Sequence, residues 1–321
     1  VNTALDGMGF RPDPDFVGVA SLRILTSDQG FSGSGGILTD DDTLNIHVTP
    51  VNDAPTLGDG SIVAVDEDAA SPPGATVATL FGGGFADVDS GASLSGIAIT
   101  NNSAPGTEGV WQYSSDGINW ADVATVGDDA TALAVEATSL LRFLPAADYN
   151  GTPTDLVLRG LDDSYAGPWS TTGGGETRET VDTTTPGGTS AIAAATSTVS
   201  TSITAANDAP TLGDGALAAV DEDTASPPGA TIDALLGAGF GDVDSGASFS
   251  GVAVVGNTAP ATEGVWQYSS DAGTTWAAIG AVGDDATALA IEKDSLLRFV
   301  PAADYNGTPT DLVLRGLDDS Y

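Results

Sequence analysis

Apolar and polar residues alternate over short stretches along the whole chain, and no stretch keeps the 3.6-residue period of a helix. Gly, Pro, Asn and Asp separate these stretches at short intervals, as turns require. The alternation predicts strands at 22–25, 44–48, 61–65, 94–100, 140–143, 156–159 and 198–203. Many short antiparallel strands of this kind favour an all-β fold made of β-sandwiches.

One hairpin stands out because it carries aromatic residues. Trp111 and Tyr113 precede a Ser-Ser-Asp-Gly turn, and Trp120 follows that turn. Two residues at this spacing share one face of a strand, so we expect both to fill a sandwich core and Trp120 to cover it. The alternative is a sugar-stacking platform made of this hairpin and its copy at 266–276, or a glycan site near Trp169, which has no counterpart in the chain.

The chain repeats itself at a spacing of 155–156 residues. NDAPTLGDG occurs at 52–60 and 207–215, EGVWQYSSD at 108–116 and 263–271. PAADYNGTPTDLVLRGLDDSY occurs at 145–165 and 301–321. The beginning of this last motif also occurs near the start of the chain. Its residues Phe143, Pro145, Asp148, Tyr149 and Gly151 correspond there to Phe10, Pro12, Asp15, Phe16 and Gly18.

The repeat predicts three domains. Residues 1–50 form the C-terminal part of one, residues 51–206 form a complete domain with a Ser/Thr/Gly-rich insertion near 170–190, and residues 207–321 form a third without its closing strand. We interpret the chain as a window from a longer tandem array. The alternative is that neighbouring chains complete each other's open sheets by donating strands.

Charge excludes several classes of function. The chain has 45 acidic and 8 basic residues, a net charge of −37. Such a chain is not expected to bind nucleic acid through its phosphates, or to approach an anionic membrane surface. No apolar run reaches the ~18 residues of a membrane span, and the absence of cysteine excludes disulfides. The apolar content of 41% is high enough for folded cores.

Catalytic residues are scarce. The single histidine, His47, lies on a predicted strand with its side chain towards solvent, and there is no cysteine nucleophile. The glycine-rich segment 81–85 precedes no helix, as a phosphate-binding loop would. We therefore do not expect an enzyme.

Aspartate dominates the acidic residues, with 37 Asp against 8 Glu. Adaptation to high salt explains an acidic surface, but short Asp side chains in turns also suit calcium, which takes six to eight oxygen ligands. Oxygen-bearing residues recur at the same positions in both copies of the repeat, and one matching Asp lies in the head segment 1–50. The candidate ligands are Asp28, Asn52, Asp53, Glu67, Asp68, Asp87, Asp89, Asp162, Asp163, Asn207, Asp208, Glu222, Asp223, Asp242 and Asp244.

These motifs resemble a known family. The pattern F-x-P-x-x-D-[FY]-x-G, followed by an Asp after a strand, a closing strand and N-D-A-P, resembles the bacterial cadherin-like repeats of giant calcium-dependent surface adhesins, the extender region of RTX-type adhesins. The resemblance covers the whole chain. It implies an all-β chain of tandem Greek-key β-sandwich domains, cadherin-like or immunoglobulin-like, with calcium between consecutive domains.

The resemblance also implies which residues meet. One interface would use Asp28, Asn52, Asp53, Glu67, Asp87 and Asp89. The next would use Asp162, Asp163, Asn207, Asp208, Glu222, Asp242 and Asp244. The junction lacks the second Asn of the cadherin pattern, so the number of ions per interface stays open.

We therefore expect a structural extender of an extracellular bacterial surface adhesin that supports cell adhesion or biofilm formation. Its partners would be the neighbouring repeats of the same chain. Two alternatives remain open: a carbohydrate-binding module for surface glycans, and a module that assembles with identical chains into a filament or sheath.

Overall fold

A computed structural model describes residues 6–31 and 33–321. Residues 1–5 and Ser32, which belong to the expected head unit, lie outside the described residues. Backbone contacts divide the chain into a first unit, Val1–Thr204, and a second unit, Ala205–Tyr321. The domain boundary expected at residue 50 stays a prediction.

The first unit begins with an antiparallel hairpin of β1 (Gly18–Ser27) and β2 (Thr39–Val48). The remaining elements, in chain order, are β3 (Gly60–Ser61), β4 (Val65–Asp66), β5 (Ala75–Thr76), α1 (Val77–Phe81), β6 (Leu94–Asn101), β7 (Gly109–Ser114), β8 (Ala121–Asp122), β9 (Ala132–Glu136), β10 (Leu140–Pro145), β11 (Leu156–Asp162), β12 (Thr180–Val181), β13 (Ser197–Ser200) and β14 (Ile203–Thr204).

Two sheets form a sandwich in this unit. One has the strand order β5-β10-β7-β8 and the other has the order β12-β9-β6-β11-β13-β3. From β6 to β11 the chain passes back and forth between the two sheets. The predicted strands are confirmed, except that 61–65 is divided between β3 and β4, and 198–203 between β13 and β14.

The core lies between the sheets because each strand turns its apolar side inwards. Trp111 of β7 packs edge-on against Phe143 of β10, with ring centroids 5.1 Å apart, and Trp111 and Tyr113 are fully buried. Leu156 and Leu158 of β11 close the core from the other sheet.

A second, smaller core lies under the insertion. The outer face of the larger sheet presents Ala98, Ala134 and Leu161, and the chain between β11 and β13 folds over them. Val181 and Ile192 come from this covering segment. The insertion is therefore folded against the sandwich.

The second unit repeats this arrangement as far as β23, the strand that corresponds to β11 of the first unit. Its elements are β15 (Thr211–Leu212), β16 (Ala230–Thr231), α2 (Ile232–Leu236), a 3₁₀ turn (Gly237–Gly239), β17 (Phe240–Gly241), β18 (Gly251–Asn257), β19 (Gly264–Ser269), β20 (Ala277–Ala278), β21 (Leu289–Glu292), β22 (Leu296–Pro301) and β23 (Leu312–Leu317). One sheet has the order β16-β22-β19-β20 and the other the order β21-β18-β23.

The two short helices were not predicted. Each has five residues, too few to show a helical period in the sequence. The threonine before each helix caps it: the Thr79 N–H donates to Thr76 Oγ1, and the Ala234 N–H donates to Thr231 Oγ1, both at 3.1 Å. The regular structure of the residues described is otherwise β-strand, apart from the 3₁₀ turn, as the predicted all-β fold requires. In the described part of the chain, no helix is long and apolar enough to cross a membrane.

Candidate metal centre

The junction Asn52-Asp53 lies against the loop that carries Asp87 and Asp89. The Asp53 N–H donates to Asp89 Oδ2 at 2.8 Å, and the Asp89 N–H donates to Asp87 Oδ1 at 2.8 Å. The second bond closes a tight Asx-type turn. This turn brings both carboxylates to the junction.

The second carboxylate oxygen of Asp87 is not used by the turn. Asp87 Oδ2 is buried, and no hydrogen-bond partner for it exists among the described residues. The second unit repeats the geometry: the Asp208 N–H donates to Asp244 Oδ2 at 2.8 Å, and the Asp244 N–H donates to Asp242 Oδ1 at 2.9 Å. Within the part of the chain that the structure describes, Asp242 Oδ2 is likewise buried without a partner.

The end of β11 reaches the same corner of the first unit. Asp162 is fully buried; its Oδ2 accepts from Asn52 Nδ2 at 3.2 Å, and its Oδ1 accepts from the Ser164 N–H at 2.8 Å. Asp163 turns the other way and accepts from the Ser93 N–H at 3.0 Å. Asp162 is therefore hydrogen-bonded within the fold.

The second unit orders its own corner in the same way. Asp318 accepts from Ser320 and from Asn207, which together hold the pKa of Asp318 below its usual range. Asp319 accepts from the Ser248 N–H at 2.8 Å. The corner thus recurs with its hydrogen bonds intact.

Asp15 is a site residue that we did not predict. Partial burial raises the pKa of Asp53, and the negative charges that raise it further are those of Asp15, Asp89 and Asp87. Asp15 precedes β1 and so lies at the end of the hairpin where β2 runs into the junction. The sequence holds a signal for it, because the motif has an aspartate at this position in every copy: Asp15, Asp148 and Asp304. In the structure all three have left-handed φ angles, of 58°, 57° and 59°.

Asp28, by contrast, does not join Asn52 and Asp53, so that expectation was wrong. The hairpin register pairs Gly18 with Val48 and Ser27 with Thr39. Asp28 follows Ser27, at the other end of strands that span ~30 Å. Its Oδ1 accepts from the N–H groups of Gly30 and Leu38, both at 2.9 Å, which hold its pKa below the usual range.

Glu67 does not lie with Asp87 and Asp89 either. The buried Glu67 accepts from Asn150 Nδ2 at 2.9 Å, and its N–H donates to the Thr204 carbonyl. β11, which is seven residues or ~23 Å long, separates this end from Asp162. The exposed Asp68 adjoins Glu67.

The second unit keeps this separation. Glu222 accepts from Asn306 Nδ2 at 3.2 Å, and Asp223 is exposed. The expected grouping of Glu222 with Asp242 and Asp244 is therefore wrong as well. Each unit carries acidic residues at both of its ends.

We call the junction Asn52-Asp53 together with the Asp87-Val88-Asp89 loop, and its copy in the second unit, the DxD corner. This corner suits a divalent cation. It combines hard carboxylate oxygens, a raised pKa at Asp53, and a buried oxygen that accepts no hydrogen bond from any described residue, a combination that is costly without a positive charge nearby. In the first unit the residues that would hold calcium are Asp53, Asp87 and Asp89, with Asp15. When bound, calcium neutralises the mutual repulsion of these carboxylates.

The histidine and the tryptophans that we considered as catalytic or sugar-binding residues occupy ordinary positions on a strand, in the core or in side-chain stacks. His47 is exposed on β2, as expected. Trp111 is fully buried and Trp266 is 9% exposed, so neither offers a face to a sugar, and the core position we predicted is confirmed. The Arg142 guanidinium stacks on Trp120, with its Cζ atom 4.0 Å from the centroid of the Trp120 ring. Trp169 packs against Tyr165 with ring centroids 4.8 Å apart.

Comparison with known proteins gives a structural likeness. No family model and no curated protein matches the chain. A solved structure, protocadherin gamma B7 extracellular cadherin domains 1–4, is similar to it with a TM-score of 0.39 and 16% identity. The match covers 95% of this chain and 59% of the protocadherin chain. The likeness is one of fold alone.

Proposed function

We propose that this chain is a series of structural extender domains of an extracellular bacterial adhesin, stiffened by calcium where one domain follows another. The observation that carries the proposal is the repeated DxD corner. In both units the junction N–H binds one carboxylate of the loop, while the outer oxygen of the first Asp is buried without a hydrogen-bond partner among the described residues.

Chain connectivity supports a position between domains. Glu67 bonds to Thr204, the last residue of the first unit, so Glu67 and Asp68 lie at the end where the chain leaves. Asp208 follows Thr204 by four residues, which span at most ~14 Å. The chain thus connects an end of one domain that carries acidic residues to a start of the next domain that also carries them.

The physical role of the ion is to reverse the sign of an interaction. Clustered carboxylates repel one another, and at physiological salt the Debye length of ~8 Å screens only part of this repulsion within one corner. A divalent ion with ligands from two domains joins them, and Pro55 and Pro210 restrict the joint further by fixing φ. A tandem array then behaves as a stiff rod.

Location and biological role follow from the same chemistry. Extracellular calcium modules bind at ~10⁻⁴–10⁻³ M, a concentration found outside cells and not in the cytosol. Together with the resemblance to bacterial adhesin repeats, this supports a cell-surface spacer that holds an adhesive region away from the cell for attachment or biofilm formation. The role is structural, and no catalysis is assigned.

Titration calorimetry with calcium tests the proposal. The intact chain should bind calcium at millimolar or tighter affinity, and Asp87→Asn with Asp242→Asn should weaken binding by about tenfold or more. Asp294→Asn is the matched control, since Asp294 is exposed and is not among the candidate ligands. Calcium binding that is absent, or equal in all three proteins, would refute it.

A further inference from the structure

In the first unit, the strands by which the chain enters the sandwich pair with those by which it leaves. The entry strands β3 and β4 follow the junction 52–53, and the exit strand β14 ends at Thr204, where the second unit begins. β13 pairs with β3 and β14 pairs with β4, and both pairings are parallel. We call residues 60–67 and 197–204 together the parallel strand pair.

Backbone hydrogen bonds run along the whole length of the parallel strand pair. In each of three bonds, an N–H of the entry side donates to a carbonyl of the exit side: Ile62 to Ser200 at 2.9 Å, Val65 to Ser202 at 3.2 Å, and Glu67 to Thr204 at 3.0 Å. The entry and exit strands are therefore joined from the beginning of β3 to the end of β14.

Side chains extend this connection towards the junction. Ser197 Oγ donates to the Leu57 carbonyl at 2.6 Å. The Thr198 N–H donates to Asp59 Oδ1 at 2.8 Å. Both bonds join the entry side to the exit side before the first residue of β3, so the strands are held together over more residues than their backbone pairing covers.

Apolar side chains fix both sides of the pair in the sandwich core. Ile62 of the entry side is 9% exposed, and Val199 and Ile203 of the exit side are 0% and 4% exposed. All three belong to the core between the two sheets. Sliding one strand along the other would carry these side chains out of their packed positions, which is costly in addition to the broken hydrogen bonds.

The parallel direction determines how tension acts on the pair. Both sides run from the end of the sandwich with the DxD corner towards the end with Glu67. Tension on the chain pulls the entry strands back towards the first end and the exit strands forwards to the second. The bonds are thus loaded in shear and share the load, so several bonds of ~1 kcal/mol each must break together.

We infer that the first sandwich is a load-bearing domain, in which the parallel strand pair is the mechanical clamp that resists tension carried along the chain. The biological use of this clamp rests on the proposed extender role. The clamp itself consists of backbone and core contacts within one domain, so its resistance should persist without calcium. Forced unfolding follows the height of the unfolding barrier, which is what such a clamp raises.

Force spectroscopy in two directions tests the inference, because the natural chain has no cysteine and a pair of introduced cysteines defines where the force is applied. Val51→Cys with Ala205→Cys loads the strand pair along its length. Ala70→Cys with Ala205→Cys is the matched control. Ala70 follows Glu67 by three residues, at most ~11 Å, so this control pulls both strands apart from one end. All three positions are exposed.

The unfolding force at one loading rate should be at least about twofold higher in the first direction, since several hydrogen bonds break together there and one after another in the control. The ratio should be the same in calcium and in chelator. A clamp that persists in chelator is thereby separated from calcium stiffening between domains, which can fail independently. Urea unfolding of the two double variants without attached handles should agree, because only the direction of the force differs.

A pair of proline variants gives a second measurement in the first direction. Val65→Pro removes the N–H that donates to Ser202, so it should lower the unfolding force. Val63→Pro is the control, because Val63 is 82% exposed and its N–H donates to no backbone carbonyl among the described residues. Equal forces in the two directions, a ratio that disappears in chelator, or a folded Val65→Pro variant as strong as the wild type would overturn the inference.

Discussion

The N–H of Asp53 donates to Oδ2 of Asp89 at 2.8 Å, and 155 residues later Asp208 and Asp244 make the same bond at the same distance. One carboxylate oxygen in each corner is thereby used to fix the loop. Because the loop is held by the protein's own hydrogen bonds, its remaining oxygens are oriented before an ion binds. Such preorganisation lowers the conformational entropy cost of binding.

Asp87→Asn should affect stability in opposite directions with and without calcium. In a chelator, the variant replaces a buried carboxylate, one oxygen of which has no hydrogen-bond partner among the described residues, by a neutral amide, so the melting temperature should stay the same or rise. With calcium, the wild type gains stability by binding the ion in the folded state, and the variant should gain much less. Thermal unfolding followed by circular dichroism measures both.

The same pair of scans on Asp294→Asn provides the control. This variant should match the wild type in both conditions. If Asp87→Asn is destabilised in chelator and retains the full calcium effect, the DxD corner is a structural turn and not a metal centre.

Arg142→Met should destabilise the first unit by about 2 kcal/mol, since hydrogen bonds to buried charged groups contribute ~1.5–3 kcal/mol. Arg142 is 7% exposed, stacks on Trp120 and donates to Gln112 Oε1 at 2.8 Å. Arg23→Met is the comparison, because its ion pair with Asp41 is largely exposed and should contribute little. If urea unfolding shows that Arg23→Met costs more stability than Arg142→Met, this account of the Arg142 contacts would be contradicted.

Asp271 should couple stability to acid pH. Hydrogen bonds from Thr275 and then Ser269 lower its pKa to about 2. Because the folded pKa lies below that of the unfolded chain, the carboxylate stabilises the fold above pH ~4, and this contribution is lost as the pH falls towards 2. The difference in unfolding free energy between wild type and Asp271→Ala, measured by urea unfolding, should therefore become smaller over this pH interval. A difference that does not change with pH would be evidence against this role of the Asp271 hydrogen bonds.

Trp169→Ala should lower stability and leave glycan binding unaffected. Trp169 is half-buried against Tyr165, and its ring lies over Gly96. The expected cost is about 2–3 kcal/mol, below the ~3–5 kcal/mol of a fully buried tryptophan. A glycan array on both proteins is the second measurement: wild-type binding that disappears in the variant would restore the carbohydrate-binding alternative.

Much of the fold was predictable from the sequence. Period-two alternation located β6, β7, β10 and β11, and the repeat transferred them to the second unit. The spacing of Trp111 and Tyr113 identified two core residues, since neighbours two apart share one face of a strand. The five-residue helices escaped because one turn carries no period.

The candidate site was less predictable, because a repeat reveals that acidic residues recur but not the end of the sandwich at which they lie. Asp28 and Glu67 were grouped with the wrong neighbours for this reason: strand direction and register determine their positions. Asp15 was missed because its motif was used only for alignment, although an aspartate that recurs at one motif position in all three copies is itself a signal.

Small-angle X-ray scattering of the intact chain, with calcium and then with a chelator, tests the central claim most directly. If calcium joins consecutive domains, the chain with calcium should give one sharply defined maximum dimension. The chelator should broaden the distance distribution, and Asp87→Asn with Asp242→Asn should show the broad distribution even with calcium. Identical scattering in calcium and chelator, alongside an unaltered profile for the double variant, would contradict the claim that calcium stiffens this chain.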